Sequence, residues 1–370
     1  MAITTDATTD TQDGDLETAI GAFAERFLMA ALGSIELLTV ELGTRLGLYA
    51  AMAEGPVTPT ELARRSGIDA RYAREWLEQQ ATAGIVTIDV DTTDPDARVF
   101  RLPVAQQACL LDLDSLASVA PLATFVTAAP QTMDRVVDAY RTGGGITFGE
   151  YGDGIREFQA AANRPQFLNL LGTWLATMPD VVARLDGGAA RVADVGCGCG
   201  WASIALALAY PAITVDGFDL DEASIADARA NAASRGVADR VTFKVRNSAD
   251  AAPGSYDLVC CFEALHDMAR PVDALAAMRA MLAPGGTVFV VDERAADALT
   301  EMDPDPMQRL FYAASVLHCL PVGRSEPGSA ATGTVMRTAT FERYATAAGF
   351  TTVDVLPIDH DMFRFYRLRG

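Results

Sequence analysis

The chain has 370 residues, half of them hydrophobic, and a formal net charge of −20, which predicts two domains with sizeable cores and argues against nucleic acid or anionic membrane as partners, since phosphate affinity rests on Lys and Arg. No apolar run reaches the roughly 18 residues of a bilayer span, and the N-terminus lacks a charged-then-apolar secretory signal. The expectation is a cytoplasmic protein.

Residues 1–15, rich in Thr and Asp, are expected to form a disordered tail. Leu16 to Ala31 and Ser34 to Ala53 read as two apolar helices. Thr58-Pro59-Thr60-Glu61 is a capping box with proline at the first helical position, opening a helix from Pro59 to Arg65. After a Ser66-Gly67-Ile68 turn, Asp69 caps a helix from Ala70 to Ala83. Ile85 to Val90 and Val99 to Leu102 form a β-hairpin with an acidic tip between them. Helix-turn-helix plus hairpin makes residues 16–110 a winged helix, with Leu62, Ile68, Tyr72, Trp76, Leu77 and Ile85 on its buried face. Two uses compete. A DNA reader would present Arg71 and Arg74, but Glu75 and Glu78 share that helix, and the tip carries aspartates where a DNA wing needs cations. A dimerisation and substrate-capping module has no such difficulty.

Residues 111–186 read as a helical connector. The segment 142–152, rich in glycine and carrying Phe148 and Tyr151, interrupts it as a hinge or lid, or as a plain linker.

Residues 187–370 alternate strand and helix, the pattern of a parallel α/β sheet. Arg191 to Val195 is a strand running into Gly196, Gly198 and Gly200, and Trp201 to Tyr210 is the helix after it. Glycines there allow a sharp turn and close ligand approach, and the helix offers free N–H groups. A dinucleotide fingerprint wants a third glycine where Trp201 stands, and no phosphate loop is present. Asp194, at the mouth, would repel a pyrophosphate and suit an ammonium group. The second strand ends at Asp219, about 20 residues past the loop, where a carboxylate accepts from ribose hydroxyls, and Asp221 caps the helix Glu222 to Ser234. Val241 to Val245, Tyr256 to Cys261 and Thr287 to Val291 continue the sheet. Thr352 to Leu356 and Phe363 to Leu368 are linked too briefly for a crossover, so they pair antiparallel.

These motifs resemble the class I S-adenosylmethionine (SAM)-dependent methyltransferases, in a bacterial small-molecule subfamily with an N-terminal winged helix. The resemblance implies a Rossmann-like seven-stranded sheet with its last strand antiparallel, SAM as cofactor, a small-molecule substrate and a homodimer. It also implies a cofactor set of Asp194, Gly196, Gly198, Gly200, Asp219, Leu220, Asn247, Ser248 and Phe262, with Asn247 standing where the family commonly has Asp. Phe148 and Tyr151 are placed over the sulfonium by cation–π contact. Trp201, Tyr312 and Glu326 are assigned to the substrate and lid region.

If the acceptor is a hydroxyl, a base must take its proton. Only three histidines exist. His266 leaves the carboxyl end of the fourth sheet strand, with Asp267 to orient it. His318, on an apolar helix, is a second candidate as base or substrate ligand, and His360 reads as structural. The six cysteines show no disulfide-framework spacing. His318-Cys319 lacks a neighbouring ligand pair in sequence, so no metal is assigned. A SAM-sensing winged-helix regulator, a SAM-fold enzyme of other chemistry and an NAD oxidoreductase stay open as alternatives.

Overall fold

The chain divides into two units, residues 1–112 and 113–370. A computed structural model describes residues 7–89, 92–247, 253–299 and 305–370.

In the first unit, α1 runs unbroken from Ala7 to Arg45. It takes in part of the expected tail and passes through Gly33, where two helices had been foreseen. One glycine costs about 1 kcal/mol in a helix interior, which Ala- and Leu-rich flanks outweigh. The chain instead turns at Gly47, with φ of 66°, before α2 (Leu48–Ala53). Over Asp15–Arg45, α1 is long and apolar enough by length and composition to cross a membrane, and only 17% of its most apolar window is buried. Glu25 and Arg26 interrupt the apolar run in the sequence without ending the helix. Thr58 accepts from the Glu61 amide at 3.3 Å to start α3 (Pro59–Ser66). Asp69 accepts from the amides of Arg71 and Tyr72 to cap α4 (Ala70–Thr82). The hairpin β1 (Thr87–Asp89) and β2 (Val99–Arg101) is antiparallel, and α5 (Val104–Leu110) follows it. Val90 and Asp91 lie outside the described residues. Leu62, Trp76 and Leu77 are core, and Ile68 and Ile85 are half-buried. Tyr72 is 77% exposed, because Ala73, Trp76, Leu77 and Gln80 form the inward stripe of α4 and Tyr72 lies beside it.

The second unit opens with helices α6 (Pro121–Ala128), α7 (Met133–Thr142), α8 (Asp153–Leu175) and α9 (Pro179–Asp186). Strands and helices then alternate: β3 (Arg191–Val195), α10 (Trp201–Ala209), β4 (Thr214–Asp219), α11 (Glu222–Ser234), β5 (Val241–Val245), β6 (Tyr256–Phe262), α12 (Pro271–Met281) and β7 (Leu282–Glu293). Helices α13 (Pro306–Ala314), α14 (Leu320–Gly323) and α15 (Thr338–Ala347) precede β8 (Thr352–Val355) and β9 (Phe363–Arg369). The seven-stranded sheet has the order β5-β4-β3-β6-β7-β9-β8. Its first five members are parallel, and β9 runs antiparallel to both β7 and β8. One sheet face packs against residues such as Leu171, Trp174 and Ile204 of α8 and α10. The other packs against Leu275, Met278 and Phe341 of α12 and α15. Burial on both faces explains why β6 and the Val288-Phe289-Val290-Val291 stretch of β7 are apolar almost throughout. β7 outruns the expected Val291 and ends on Asp292 and Glu293. The carboxyl ends of β3, β4, β6 and β7 therefore share one edge, where ligands bind in open α/β sheets.

Candidate active site

The bend after β3 has positive φ at Gly196 (73°), Gly198 (48°) and Gly200 (81°). A Cβ at Gly196 would lie 2.6 Å from Ala264, and one at Gly200 would lie 2.5 Å from the Phe243 ring. A Cβ at Gly198 would meet nothing within 4 Å. Two glycines thus let the bend press onto its neighbours, and Gly198 borders open space. Asp219, at the end of β4, accepts from the Gly198 amide at 2.8 Å and from the Asp221 amide at 2.9 Å. Each carboxylate oxygen keeps acceptor capacity for a further donor. Asp221 caps α11 through the Ser224 amide, as the sequence suggests. Asp194 corrects its expected place at the mouth: it is 1% exposed, beneath the bend. Ser203 donates to its Oδ2 at 2.6 Å, and its Oδ1 has no partner. Burial pushes the Asp194 carboxyl from 3.8 up to about 7.

At the ends of β6 and β7, His266 is 2% exposed and surrounded by carboxylates. Its Nδ1 lies 2.8 Å from Asp292 Oδ1 and 3.1 Å from Glu293 Oε2. Its Nε2 lies 3.3 Å from Asp267 Oδ1. Burial favours the neutral ring, but Glu293, Asp292 and Asp267 outweigh it and raise the His266 pKa well above 6.5. Glu263 enters this turn with φ of 49°. With the Asn163 amide oriented to suit both groups, it donates to Glu263 at 3.2 Å. Asp292, Glu293, Glu263 and Asn163 went unrecognised in the sequence. The readable signal was Asp-Glu closing an apolar strand at the same edge as Asp219.

Residues 193–288 match the family model described as a methyltransferase domain, and residues 33–111 match an Rv2258c-like winged HTH domain. This chain carries a methyltransferase domain behind a winged helix. The ubiquinone biosynthesis O-methyltransferase of Bordetella bronchiseptica is 36% identical over 137 residues, 36% of this chain and 52% of that protein. The chain thus spans about half the length of that relative. The mitomycin 7-O-methyltransferase MmcR is similar in structure, with a TM-score of 0.64 and 21% identity over 95% of this chain and 100% of that one. Human N-acetylserotonin methyltransferase, solved with SAM, gives a TM-score of 0.60 at 18% identity, over 94% of this chain and 97% of that one. At such identities the likeness is one of fold.

Within the methyltransferase domain the remaining expected site residues divide. Leu220 is 66% exposed beside Asp219. Asn247 is exposed just past β5, and Ser248 lies outside the described residues. Phe262 is core, its ring 5.2 Å from Phe167 and 5.8 Å from Phe289, because the inward face of β6 holds it. Trp201 is packing too: the Arg164 and Arg235 guanidiniums lie 4.4 and 5.3 Å from its ring, and both pair with Asp114. Glu326 is exposed, 3.8 Å from Arg270. The Tyr312 hydroxyl accepts from Arg337 at 3.5 Å. His360 is structural: its Nδ1 accepts from the Met362 and Phe363 amides.

The glycine-rich segment is docked. Ile146 donates to Pro321 at 3.0 Å, and a Cβ at Gly145 would lie 2.2 Å from the Arg324 backbone. Phe148 and Tyr151 lie against the His318 ring, at 5.9 and 4.5 Å between centroids. Between α13 and α14, residues Ser315–Cys319 form a π-helical turn. Pro321 has no N–H for the Leu317 carbonyl, and the Tyr151 hydroxyl donates to it at 2.9 Å. The Leu320 amide bonds Ser315 in place of Val316, whose carbonyl accepts from Tyr140 at 3.3 Å. This turn buries His318, burial lowers its pKa, and its Nε2 has no partner.

Proposed function

We propose that the protein transfers a methyl group from SAM to a hydroxyl of a small organic molecule, working as a homodimer. The observation that carries this reading is the glycine bend itself. Gly198 borders open space beside a strand-end carboxylate that retains acceptor sites, within residues matching a methyltransferase domain. Asp219 suits ribose hydroxyls, and the acidic surroundings suit a cationic nucleoside. When bound, SAM supplies a methyl carbon activated by its sulfonium, so the protein's main task is to hold the acceptor in line.

His266 is the group proposed to take the acceptor proton. Asp292 Oδ1 lies 2.8 Å from its Nδ1, so the acceptor's proton would go to Nε2, and the carboxylates around the ring favour the protonated form that results. The acceptor atom is taken as oxygen because the similar proteins above are described as O-methyltransferases.

The cations on the winged helix support a non-DNA role: Arg71 pairs with Glu75, Arg74 with Asp96 at 3.1 Å, and Arg98 with Glu78 at 3.1 Å. The homodimer is supported by α1, whose Phe23, Phe27, Leu28 and Met29 are 58–67% exposed. A second copy suits this helix better than a bilayer, since Glu25 and Arg26 sit in its middle and a charge at bilayer depth costs about 2.5–3.5 kcal/mol.

Calorimetry with SAM and NADH tests the cofactor. SAM is expected to bind and NADH not to. Asp219→Ala is expected to weaken SAM by roughly 1.5–3 kcal/mol, the scale of a lost charge-assisted hydrogen bond. Heat from NADH alone would reverse the reading, and unchanged SAM affinity in the variant would remove Asp219 from the site.

A further inference from the structure

Among the described residues, two groups of three or more His, Cys, Asp and Glu side chains bring one ligand atom each within 4.8 Å of one another, and His266 belongs to both. One group joins His266 to Asp292 and Glu293. The other joins His266 to Asp267 and Cys319. Fold alone unites the second group: His266 and Asp267 leave the end of β6, and Cys319 ends the π-helical turn over 50 residues later.

We propose that His266, Asp267 and Cys319 bind a zinc-class divalent cation, with a fourth position open. Nitrogen, oxygen and sulfur together form a borderline-soft set that suits Zn2+ better than Mg2+ or Ca2+. The 3.3 Å between His266 Nε2 and Asp267 Oδ1 is close to the ligand separation expected of a tetrahedron built on bonds of about 2.0–2.1 Å. Asp267 Oδ1 is buried with no hydrogen-bond partner, as an unfilled ligand oxygen would be. The orientation of His266 decides between the two groups. Its Nδ1 is held by Asp292 at 2.8 Å, and a ligating histidine characteristically gives its other ring N–H to a carboxylate. The Asp292–Glu293 side therefore orients the ring, and the ion lies on the Nε2 side. Three protein ligands with one vacancy are the pattern of reactive zinc sites, whereas structural sites close with four. Phe148 and Tyr151 pack on His318, beside Cys319, and so brace the turn that carries the sulfur. An ion on Nε2 occupies the position proposed above for the acceptor's proton, so the two forms employ His266 differently.

The test uses the full-length protein, stripped with a chelator and titrated with Co2+ as the spectroscopic stand-in for zinc. One equivalent is expected to bind, with a thiolate-to-cobalt charge-transfer absorption, and Zn2+ is expected to displace it. Cys319→Ser is expected to abolish that absorption and weaken binding about ten-fold or more, and Asp267→Asn to weaken binding while keeping the absorption. Absence of saturable Co2+ or Zn2+ binding to the wild-type protein, or binding that Cys319→Ser leaves unchanged, overturns the proposal. Circular dichroism checks each variant's fold. SAM calorimetry on the stripped protein reports separately on the methyltransferase reading, so the two ideas fail independently.

Discussion

Asp194 and Asp219 look alike in the sequence, each at or next to the end of a strand beside the glycine bend, and the fold treats them differently. Asp219 meets two backbone amides and keeps room for a ligand. Asp194 is sealed under the bend with one hydroxyl donor and an orphaned oxygen. The sequence shows that both carboxylates flank the loop. It does not show which lies above and which below, because that depends on how tightly Gly196 and Gly200 press on Ala264 and Phe243. A pH dependence follows from the burial of Asp194. A carboxyl raised from 3.8 to about 7 binds its proton more tightly in the native state than in the unfolded chain. Its stabilising effect is complete below the unfolded value and is lost as pH rises through about 7. The unliganded protein should therefore lose up to about 4 kcal/mol of stability from this group between pH 4 and pH 8. Urea unfolding of wild type and Asp194→Asn across that range measures it. The gap between the two should shift toward the variant as pH rises, and parallel curves would contradict the assignment.

At the scale of elements, local signals placed most of the methyltransferase domain. The helix Glu222 to Ser234 and the strand Val241 to Val245 are observed with the expected limits, since Asp221 caps one and β-branched alternation marks the other. The π-helical turn at Ser315–Cys319 had no such signal. Pro321 announces a lost hydrogen bond, but the partners that rescue the freed carbonyls, Tyr140 and Tyr151, lie more than 160 residues upstream. The site inherits this difficulty: His266 was legible from its strand end, and Cys319 was not, because a non-local turn delivers it. The Tyr151 hydroxyl offers the direct test. Tyr151→Phe keeps the ring against His318 and removes only the donor to Leu317, leaving a carbonyl that Pro321 has no means to satisfy. The expected loss is about 1–2 kcal/mol, read as a lower urea midpoint with an unchanged slope. An unaltered midpoint would mean that another donor serves Leu317 and that Tyr151 acts through its ring alone.

For the whole molecule, the two-unit plan followed from a change of pattern near residue 110, where hairpin gives way to helices and then to strand–helix alternation. The length of α1 did not follow, because helix propensity at Gly33 is a weak constraint beside the Ala- and Leu-rich turns on either side of it. That length has a consequence for assembly. From Leu16 to Leu42, α1 exposes Leu, Ile, Phe and Met side chains in close succession, while its last turns are held in the winged helix, where Trp76 donates to Thr39 at 3.0 Å. A soluble monomer rarely leaves a contiguous apolar surface of this extent uncovered. Pairing of two copies through α1 buries it on both sides at once, as an isologous interface does. Sedimentation at micromolar concentration should show a dimer, and Phe23→Asp with Phe27→Asp should shift it to monomer while leaving SAM affinity intact, since neither residue belongs to the methyltransferase domain. A wild-type monomer, or a dimer indifferent to both substitutions, removes α1 from the interface. Partition of the wild type into phospholipid vesicles, with the charges at Glu25 and Arg26 notwithstanding, would assign the same apolar helix to a membrane surface instead.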